Sequence, residues 1–442
     1  MVGSMGVRRA FQNDVQMDMG NTLANGHAVK ILICSNFFYP RGGDCTYTRA
    51  LQGLLEAHGH EVGVFSTEHE GNWAAPPHSA FVPAPDYAEL NRNKTLRGAW
   101  LAARRSIWAA DVAKSLRALL ADWKPDVAHL QNIHAYLTPS ILPELRRAGV
   151  PVVQTLHDYK WLCPDSAMLR GGRPCGDCAG KAFWHCAAGR CKKGSLAASA
   201  MATVEGYVHR WKRASSMVDA WIAPSAFVKE TFAKCGLDGG KIRVVHNPYM
   251  PCGRDGMAPH DGGYGLYAGS LASIKGVGVL LEALKEVPGH EVHVAGGASG
   301  EEVASLQARA AELEVADRVR FLGPLHGERL WREQTGARYG IVPSVWYENY
   351  PYAAMEMLAI GKPVIGSDIG GIPELVRDGE TGMLFPAGDA QALAERMRRL
   401  AGDAGLAARL GAAGKALVVE ECSPERHYAA VAAVYRELGA TV

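Results

Sequence analysis

Glu348 and Glu356 stand eight residues apart in the run Ser344 to Glu374 (SVWYENYPYAAMEMLAIGKPVIGSDIGGIPE). Pro351 suits the first position of a helix, which places Glu348 at the helix mouth and Glu356 about one and a half turns inside. Gly361 suits the left-handed residue that closes such a helix. An ionised carboxylate only accepts hydrogen bonds and can take two hydroxyl donors at once. Two of them suit a ligand with two sets of hydroxyls, such as a ribose and a second sugar. The plain alternative is a pair of solvated helix glutamates. The surroundings weigh against it. Gly370-Gly371-Ile372-Pro373 follows an apolar strand and opens another helix, where backbone amides favour an anion. Lys275, in the run Gly269 to Gly276 (GSLASIKG), occupies the first strand-to-helix loop of the second half of the chain, where a phosphate would approach. Pro40-Arg41-Gly42-Gly43 occupies the equivalent loop of the first half, without the G-x-G-x-x-G spacing of a dinucleotide site.

A second group of reactive residues is the cysteines, five of whose ten members fall between Cys163 and Cys191. Cys175, Cys178, Cys186 and Cys191 form a C-x2-C-x7-C-x4-C set with His185 inside it. Four thiolates can hold tetrahedral zinc as a closed structural site, with Cys163 able to replace Cys186. Reduced thiols packed together are the competing reading. Disulfides are the third, and they need an oxidising compartment.

The elements that must position these residues alternate strand and helix. Val29 to Ser35, Glu61 to Ser66, Asp126 to Leu130, Val150 to Leu156, Ala220 to Pro224 and Arg243 to His246 read as strands, with a helix over Cys45 to His58 and one or two over Lys94 to Trp123. Met250 to Gly263 is rich in Gly, Pro and Asp, which is linker composition. The alternation then resumes with strands at Tyr264 to Ala268, Glu291 to Ala295, Arg318 to Leu322, Tyr339 to Pro343 and Pro363 to Gly366, and Ala-rich helices run from Ala390 to Leu438. Such alternation predicts α/β architecture, two doubly wound Rossmann-like domains with parallel sheets. Ligands of these sheets bind beyond the carboxyl ends of the strands, so two facing halves predict an interdomain cleft. The expected divisions are a leader at 1–27, a first domain at 28–249 with the cysteine insert at 163–191, a linker at 250–263, a second domain at 264–425, and a terminal helix at 426–442 packing back on the first domain.

The 442 residues are 48% hydrophobic and 21% charged, which is globular usage for two or three domains. A formal net charge of +2 argues against a dedicated nucleic-acid binder. No apolar run reaches the ~18–20 residues of a membrane span. Met1 to His27 has no apolar core to act as a signal peptide and reads as a disordered leader. The expectation is a cytoplasmic enzyme. Arg97, Trp100, Arg104 and Trp108 fall on one helix stripe, and Lys192-Lys193 and Arg210-Trp211-Lys212-Arg213 add local positive charge. These segments suit peripheral contact with an anionic membrane face; the alternative is an ordinary helix with a solvated basic face.

Taken together, Glu348-x7-Glu356, the Gly370-to-Glu374 loop, Lys275-Gly276, Arg41-Gly42-Gly43 and Gly59-His60-Glu61-Val62 resemble the family-4 retaining glycosyltransferases of the GT-B fold, from about Val29 to Leu438. The resemblance implies a nucleotide-sugar donor, UDP- or GDP-linked, and a hydroxyl acceptor, either a glycan or a lipid-linked or cell-surface polysaccharide precursor. It implies that Glu356 binds the ribose, and that Glu348 with the amides of Asn349 and Tyr350 binds the transferred sugar. Lys275 and the Gly42-Gly43 amides meet the diphosphate, and the backbone near Leu325 meets the base. His157, in Thr155-Leu156-His157-Asp158, matches a family histidine beside the reacting centre. Gly269-Ser270 stands where many relatives carry an arginine, so either Lys275 and backbone amides suffice for the diphosphate or another cation such as Arg41 contributes; Ser270 is counted with the donor-binding residues. His157, Glu348 and Lys275 are thus the catalytic candidates. No cofactor and no catalytic metal are implied, and no D-x-D-like pair is placed to hold one. The rivals are a GT-B nucleotide-sugar epimerase and a non-catalytic sugar-nucleotide or polysaccharide-binding protein.

Overall fold

A computed structural model describes residues 28–84, 104–250 and 258–441. The expected leader lies outside the described residues, as do Arg97, Trp100 and half of the expected linker. The chain divides into two compact units, one from the described part of Leu23–Pro248 together with Pro424–Val442, the other Tyr249–Ser423.

The first unit is built on β1 (Lys30–Cys34), β2 (Glu61–Thr67), β3 (Ala80–Val82), β4 (Val127–Leu130), β5 (Val152–Thr155), β8 (Ala220–Ala223) and β9 (Ile242–Val244). A separate hairpin, β6 (Leu169–Arg170) and β7 (Arg173–Pro174), belongs to the cysteine-bearing insert. The seven-stranded sheet is parallel, in the order β3-β2-β1-β4-β5-β8-β9. Its inner strands are short apolar runs buried at every position, VAHL, VVQT and AWIA among them. Continuous burial of this kind is what a parallel sheet covered on both faces requires. The second unit carries β10 (Gly265–Ala268), β11 (Val292–Ala295), β12 (Val319–Gly323), β13 (Tyr339–Val342), β14 (Val364–Ser367) and β15 (Gly382–Phe385), parallel in the order β12-β11-β10-β13-β14-β15. In both sheets the order reverses beside the first strand, between β1 and β4 and between β10 and β13. Loops leaving the carboxyl ends of those strands open into the crevice where ligands of such sheets bind.

Every strand read from the sequence forms, within two residues at either end. β3, β15 and the hairpin were not read, because AFV is too short to show a period and GMLF follows turn-rich Asp378-Gly379-Glu380-Thr381. Among the described residues no helix is long and apolar enough to cross a membrane. The Ala-rich tail forms helices Ala390–Gly402, Ala404–Glu421 and Pro424–Glu437. Asp389 and Asp403 cap the first two, accepting from the amides of Ala392 and Leu406.

The third of these helices belongs to the first unit, and buried imidazoles hold it there. His60 Nε2 meets the Tyr428 hydroxyl at 2.7 Å. His129 lies between the Tyr435 hydroxyl (2.7 Å) and the Thr155 hydroxyl (2.8 Å). His427 Nδ1 donates to the His246 carbonyl at 2.8 Å, and its ring packs edge-on against Tyr47. Burial pushes the His129 imidazole down to about 3, helped by neighbouring His427, and pushes His427 down to about 4. Both stay neutral in the folded unit. Unfolded, they take up protons near pH 6.5, so the stability they confer is complete above that pH and is lost as pH falls toward 4. The melting temperature is therefore expected to drop between pH 6.5 and pH 4 in calorimetry. Tyr435→Phe, which strips His129 of a partner, should cost about 1–3 kcal/mol at pH 7 by urea denaturation.

Candidate active site

The loops after β10 and β13 are knitted together at the switch point of the second sheet. Val345 donates its amide to the Ile274 carbonyl at 3.0 Å. Lys275 ends a one-turn 3-10 helix, and Gly276 after it has φ +76°. A Cβ on Gly276 would lie 1.8 Å from the Pro343 carbonyl oxygen, so only glycine allows this approach. The result is that Lys275 and Glu348, 73 residues apart in sequence, form an ion pair at 2.7 Å. Glu348 is 6% exposed, and its Oε1 also accepts from the Ser344 hydroxyl (2.6 Å) and the Trp346 indole (2.9 Å). The Lys275 ammonium lies 4.9 Å from the centroid of the Trp346 ring.

A third loop presses on the same residue from β14. Gly371 donates its amide to the Glu348 carbonyl at 2.7 Å. Gly370 has φ +63°, and a Cβ there would sit 2.5 Å from the Glu348 carbonyl oxygen. The helix this loop opens, Ile372–Leu375, is a single turn. Glu356 lies on the Tyr352–Ala359 helix, where Pro351 is the extended cap residue and not the first helical residue. Gly361 takes the left-handed conformation after it, φ +78°. The Glu356 carboxylate accepts from the Gln334 amide at 2.8 Å. Tyr350 is buried with its hydroxyl 3.3 Å from the Cys422 sulfur, and Asn349 precedes it in the Glu348 loop. The Ser270 carbonyl accepts from the Tyr267 hydroxyl, and its own hydroxyl accepts from the Ala272 amide. Leu325 is buried in the loop after β12. The second unit therefore joins Lys275 directly to Glu348, with Ser344 and Trp346 as further partners that the motif spacing does not indicate. Both lie inside the quoted run, four and two residues before the glutamate. Gln334 carried no signal at all.

His157, Gly42 and Gly43 belong to the first unit. Gly42 is the extended residue before helix Gly43–Ala57, its carbonyl accepting from the amides of Cys45 and Thr46. Arg41 lies over the Phe37 ring, 4.0 Å from its centroid. His157 follows β5, its Nε2 2.6 Å from Gln131 Oε1 and its ring edge-on to Tyr47. Burial pushes its imidazole down to about 4 although Asp44 pulls the other way, so it is neutral at pH 7. With Nε2 donating to Gln131, Nδ1 is left as the acceptor. The adjacent Asp158 carboxyl is pushed up to about 6 by burial.

The nine described cysteines are free thiols. Cys163, Cys175, Cys178, Cys191 and His185 line one pocket. Cys178 donates to Cys163, which brings the Cys163 thiol down to about 7 and the Cys178 thiol up. Cys186, buried beside Cys191, is pushed up to about 12 by that burial. Among the described residues no group of three or more His, Cys, Asp or Glu side chains is arranged to hold a metal ion. The expected zinc ligands Cys175, Cys178, Cys186 and Cys191, with Cys163 as alternate, thus lie in one neighbourhood, where Cys178, Cys186 and Phe183 form a small apolar core with Cys191 packed against it.

Two family models match this chain, Glycosyltransferase Family 4 over residues 41–249 and Glycosyl transferases group 1 over residues 256–417. The chain belongs to the family 4, group 1 glycosyltransferases. Among curated proteins it is similar to the D-inositol 3-phosphate glycosyltransferases of Streptomyces bingchenggensis and Mycolicibacterium smegmatis. The first is 34% identical over 226 residues, 46% of this chain and 49% of the relative. The second is 34% identical over 165 residues, 34% of this chain and 38% of the relative. The chain spans about half, or less, of the length of the curated relatives it matches. Among solved structures, sucrose-phosphate synthase from Thermosynechococcus elongatus superposes with a TM-score of 0.69 at 20% identity, over 93% of this chain and 99% of that one. Anabaena HepE in complex with UDP gives 0.63 at 17% identity, over 92% and 100%. The fold is GT-B, each half a Rossmann-like unit.

The packing around Glu348 sets two expected outcomes. Glu348→Ala leaves three donors without their acceptor and should cost roughly 2 kcal/mol in chemical denaturation. Gly370→Ala, forced into a left-handed conformation against the Glu348 backbone, should cost about 1–3 kcal/mol. An unchanged melting temperature in both variants would break this account of the loop packing.

Proposed function

We propose that this chain is a retaining glycosyltransferase that moves a sugar from a nucleoside diphosphate sugar, UDP- or GDP-linked, to a hydroxyl acceptor. The observation that carries the reading is the Lys275–Glu348 pair at the switch point between β10 and β13. It fixes a cation and a carboxylate side by side where such sheets bind their ligands. Family membership supports the reading, and so does Anabaena HepE, a fold relative with solved complexes of UDP and of UDP-glucose.

In this reading Lys275 meets the diphosphate, whose negative charge grows as the sugar bond breaks. A cation already held in position stabilises that charge without reorganising solvent at the moment of reaction. Glu348, with the amides of Asn349 and Tyr350, takes hydroxyls of the transferred sugar, and Glu356 takes those of the ribose. Ser270 and the backbone near Leu325 complete the donor side. The paired acceptor oxygens of a carboxylate match the vicinal hydroxyls of either sugar. No carboxylate is assigned as a covalent nucleophile, so attack from the departing face with retention is the proposed course. On the acceptor side, His157 enters as a neutral imidazole. Its burial rules out a standing positive charge at pH 7, which suits it to hydrogen bonding with a hydroxyl. The acceptors to try are lipid-linked and polysaccharide precursors, together with inositol phosphate, which the curated relatives carry in their name.

The test is thermal stability of the purified protein against UDP, GDP, ADP, TDP and NAD, with and without divalent metal. A selective rise with one nucleoside diphosphate, without metal, is expected. With the matching sugar donor, Lys275→Ala should lower transfer on the order of 100-fold. Glu356→Ala should chiefly weaken nucleotide binding. No response to any diphosphate, a response to NAD alone, or interconversion of the donor sugar without an acceptor would overturn the proposal.

A further inference from the structure

Eight large apolar side chains of the described residues are exposed, and six of them lie between Trp184 and Trp211. Five of the six are on one helix, Leu196–Trp211. At 100° per residue, Leu196, Met201, Val204, Tyr207 and Trp211 fall within about 140° of arc. The opposite arc carries Ser199, Thr203, Glu205 and His209, all buried. The helix is turned inside out, with its polar side chains toward the protein and its apolar ones toward solvent.

The inward face explains how such a helix stays in place. Ser199 accepts from the Lys192 amide at 2.9 Å, and the Thr203 hydroxyl donates to the Phe183 carbonyl at 3.0 Å. Glu205 and Lys160 form an ion pair at 2.8 Å, each about 8% exposed or less. His209 Nε2 donates to the Ile107 carbonyl at 2.9 Å. These polar contacts, with buried Ala202 and the edge-on packing of Tyr207 against Phe183, anchor the helix while Trp211 is left 78% exposed and Trp184, in the preceding helix, 55%. The Tyr207 hydroxyl accepts from the Trp184 amide, which joins the two helices into one patch.

Charge identifies the partner. From Cys178 to Val218 there are seven Lys and Arg residues and one acid, Glu205, which is buried against Lys160. Exposed Arg190 and Lys193 lead into the helix, and exposed Arg210 and Arg213 lie at its other end. The Lys212 ammonium sits over both the Trp108 and Trp211 rings, at 4.5 and 5.3 Å. A second copy of this face would bring like charges together. An apolar centre with cations at both ends fits an anionic bilayer surface, the exposed acids Asp177 and Asp219 lying outside the segment. There aromatic and aliphatic side chains enter below the headgroups while Lys and Arg meet the phosphates.

We propose that the face formed by Trp184, Leu196, Met201, Val204, Tyr207 and Trp211 docks this protein on an anionic membrane surface. The inference is independent of the donor-site reading. It centres the contact on the segment of Lys192-Lys193 and Arg210 to Arg213; of the stripe Arg97, Trp100, Arg104 and Trp108, the first two lie outside the described residues and the Trp108 ring carries the Lys212 ammonium.

The full chain is co-sedimented with phosphatidylcholine vesicles and with vesicles of roughly one-third phosphatidylglycerol, at low salt and in about 0.5 M salt. Binding to the anionic vesicles at low salt, weakened by salt, is expected. Trp184→Ser with Trp211→Ser should reduce the partition coefficient on the order of tenfold or more. Lys193→Glu with Arg213→Glu should reduce it by at least about fivefold for each cation reversed. All four positions are exposed, so circular dichroism should show the wild-type fold in each variant. Absence of vesicle binding, or binding that both variants retain, overturns the proposal. So does self-association in sedimentation velocity that the tryptophan pair abolishes while vesicles remain unbound, which would make the face a junction between copies of the chain.

Discussion

Removing an ionised carboxylate from water costs several kcal/mol unless donors replace the lost hydration. Glu348 is in that position, and its surroundings follow from the need to supply them. Two donors, Ser344 and Trp346, come from its own loop, and the third, Lys275, comes from the loop after β10. For Lys275 to arrive, its loop must lie flat against the end of β13, and that requires glycine at 276. For the Glu348 backbone to be held, the loop after β14 must also come close, and that requires glycine at 370. One buried charge thereby sets the residue types of three loops leaving three neighbouring strands. A site built this way is arranged before any ligand arrives, which is the condition for charge stabilisation without reorganisation.

In the first unit several buried titratable groups are kept neutral. The imidazoles of His129, His157 and His427 are buried deeply enough to stay unprotonated, so a hydroxyl, carbonyl or amide partner can hold each one and no counter-charge is needed. His129 and His427 use this to secure the terminal helix, and His157 uses it to fix one ring nitrogen on Gln131. The two units thus share a sheet topology, with an ion pair at the switch point of one and neutral imidazoles beside the central strands of the other.

The parts that could be read from the sequence are those governed by local rules. Buried strands appear as apolar runs, Gly361 announces a left-handed helix end, and Lys275 follows the first strand of its half. Pairings between distant loops have no such local trace. Nothing near Glu348 signals that its cation comes from 73 residues upstream, and nothing near Glu356 signals Gln334. Pro351 shows the limit even of a local rule, because proline's fixed φ serves the extended cap residue as well as the first helical one. The cysteine spacing illustrates a different limit. Spacing brings the thiols into one segment, whereas packing puts Cys178 and Cys186 in an apolar core with Phe183.

The helix Leu196–Trp211 shows why averages over a chain can conceal a surface. A net charge of +2 suggests a protein without electrostatic preference. Yet seven cations against one acid are gathered between Cys178 and Val218, which leaves the remainder of the chain net acidic. Periodicity alone would have misread the segment too, since an amphipathic helix is ordinarily assumed to bury its apolar side. Here the inner face is already committed to polar partners, Glu205 with Lys160 above all. A buried charge that must keep its counter-ion fixes the rotation of the helix. The exposure of Val204, Tyr207 and Trp211 follows from that rotation.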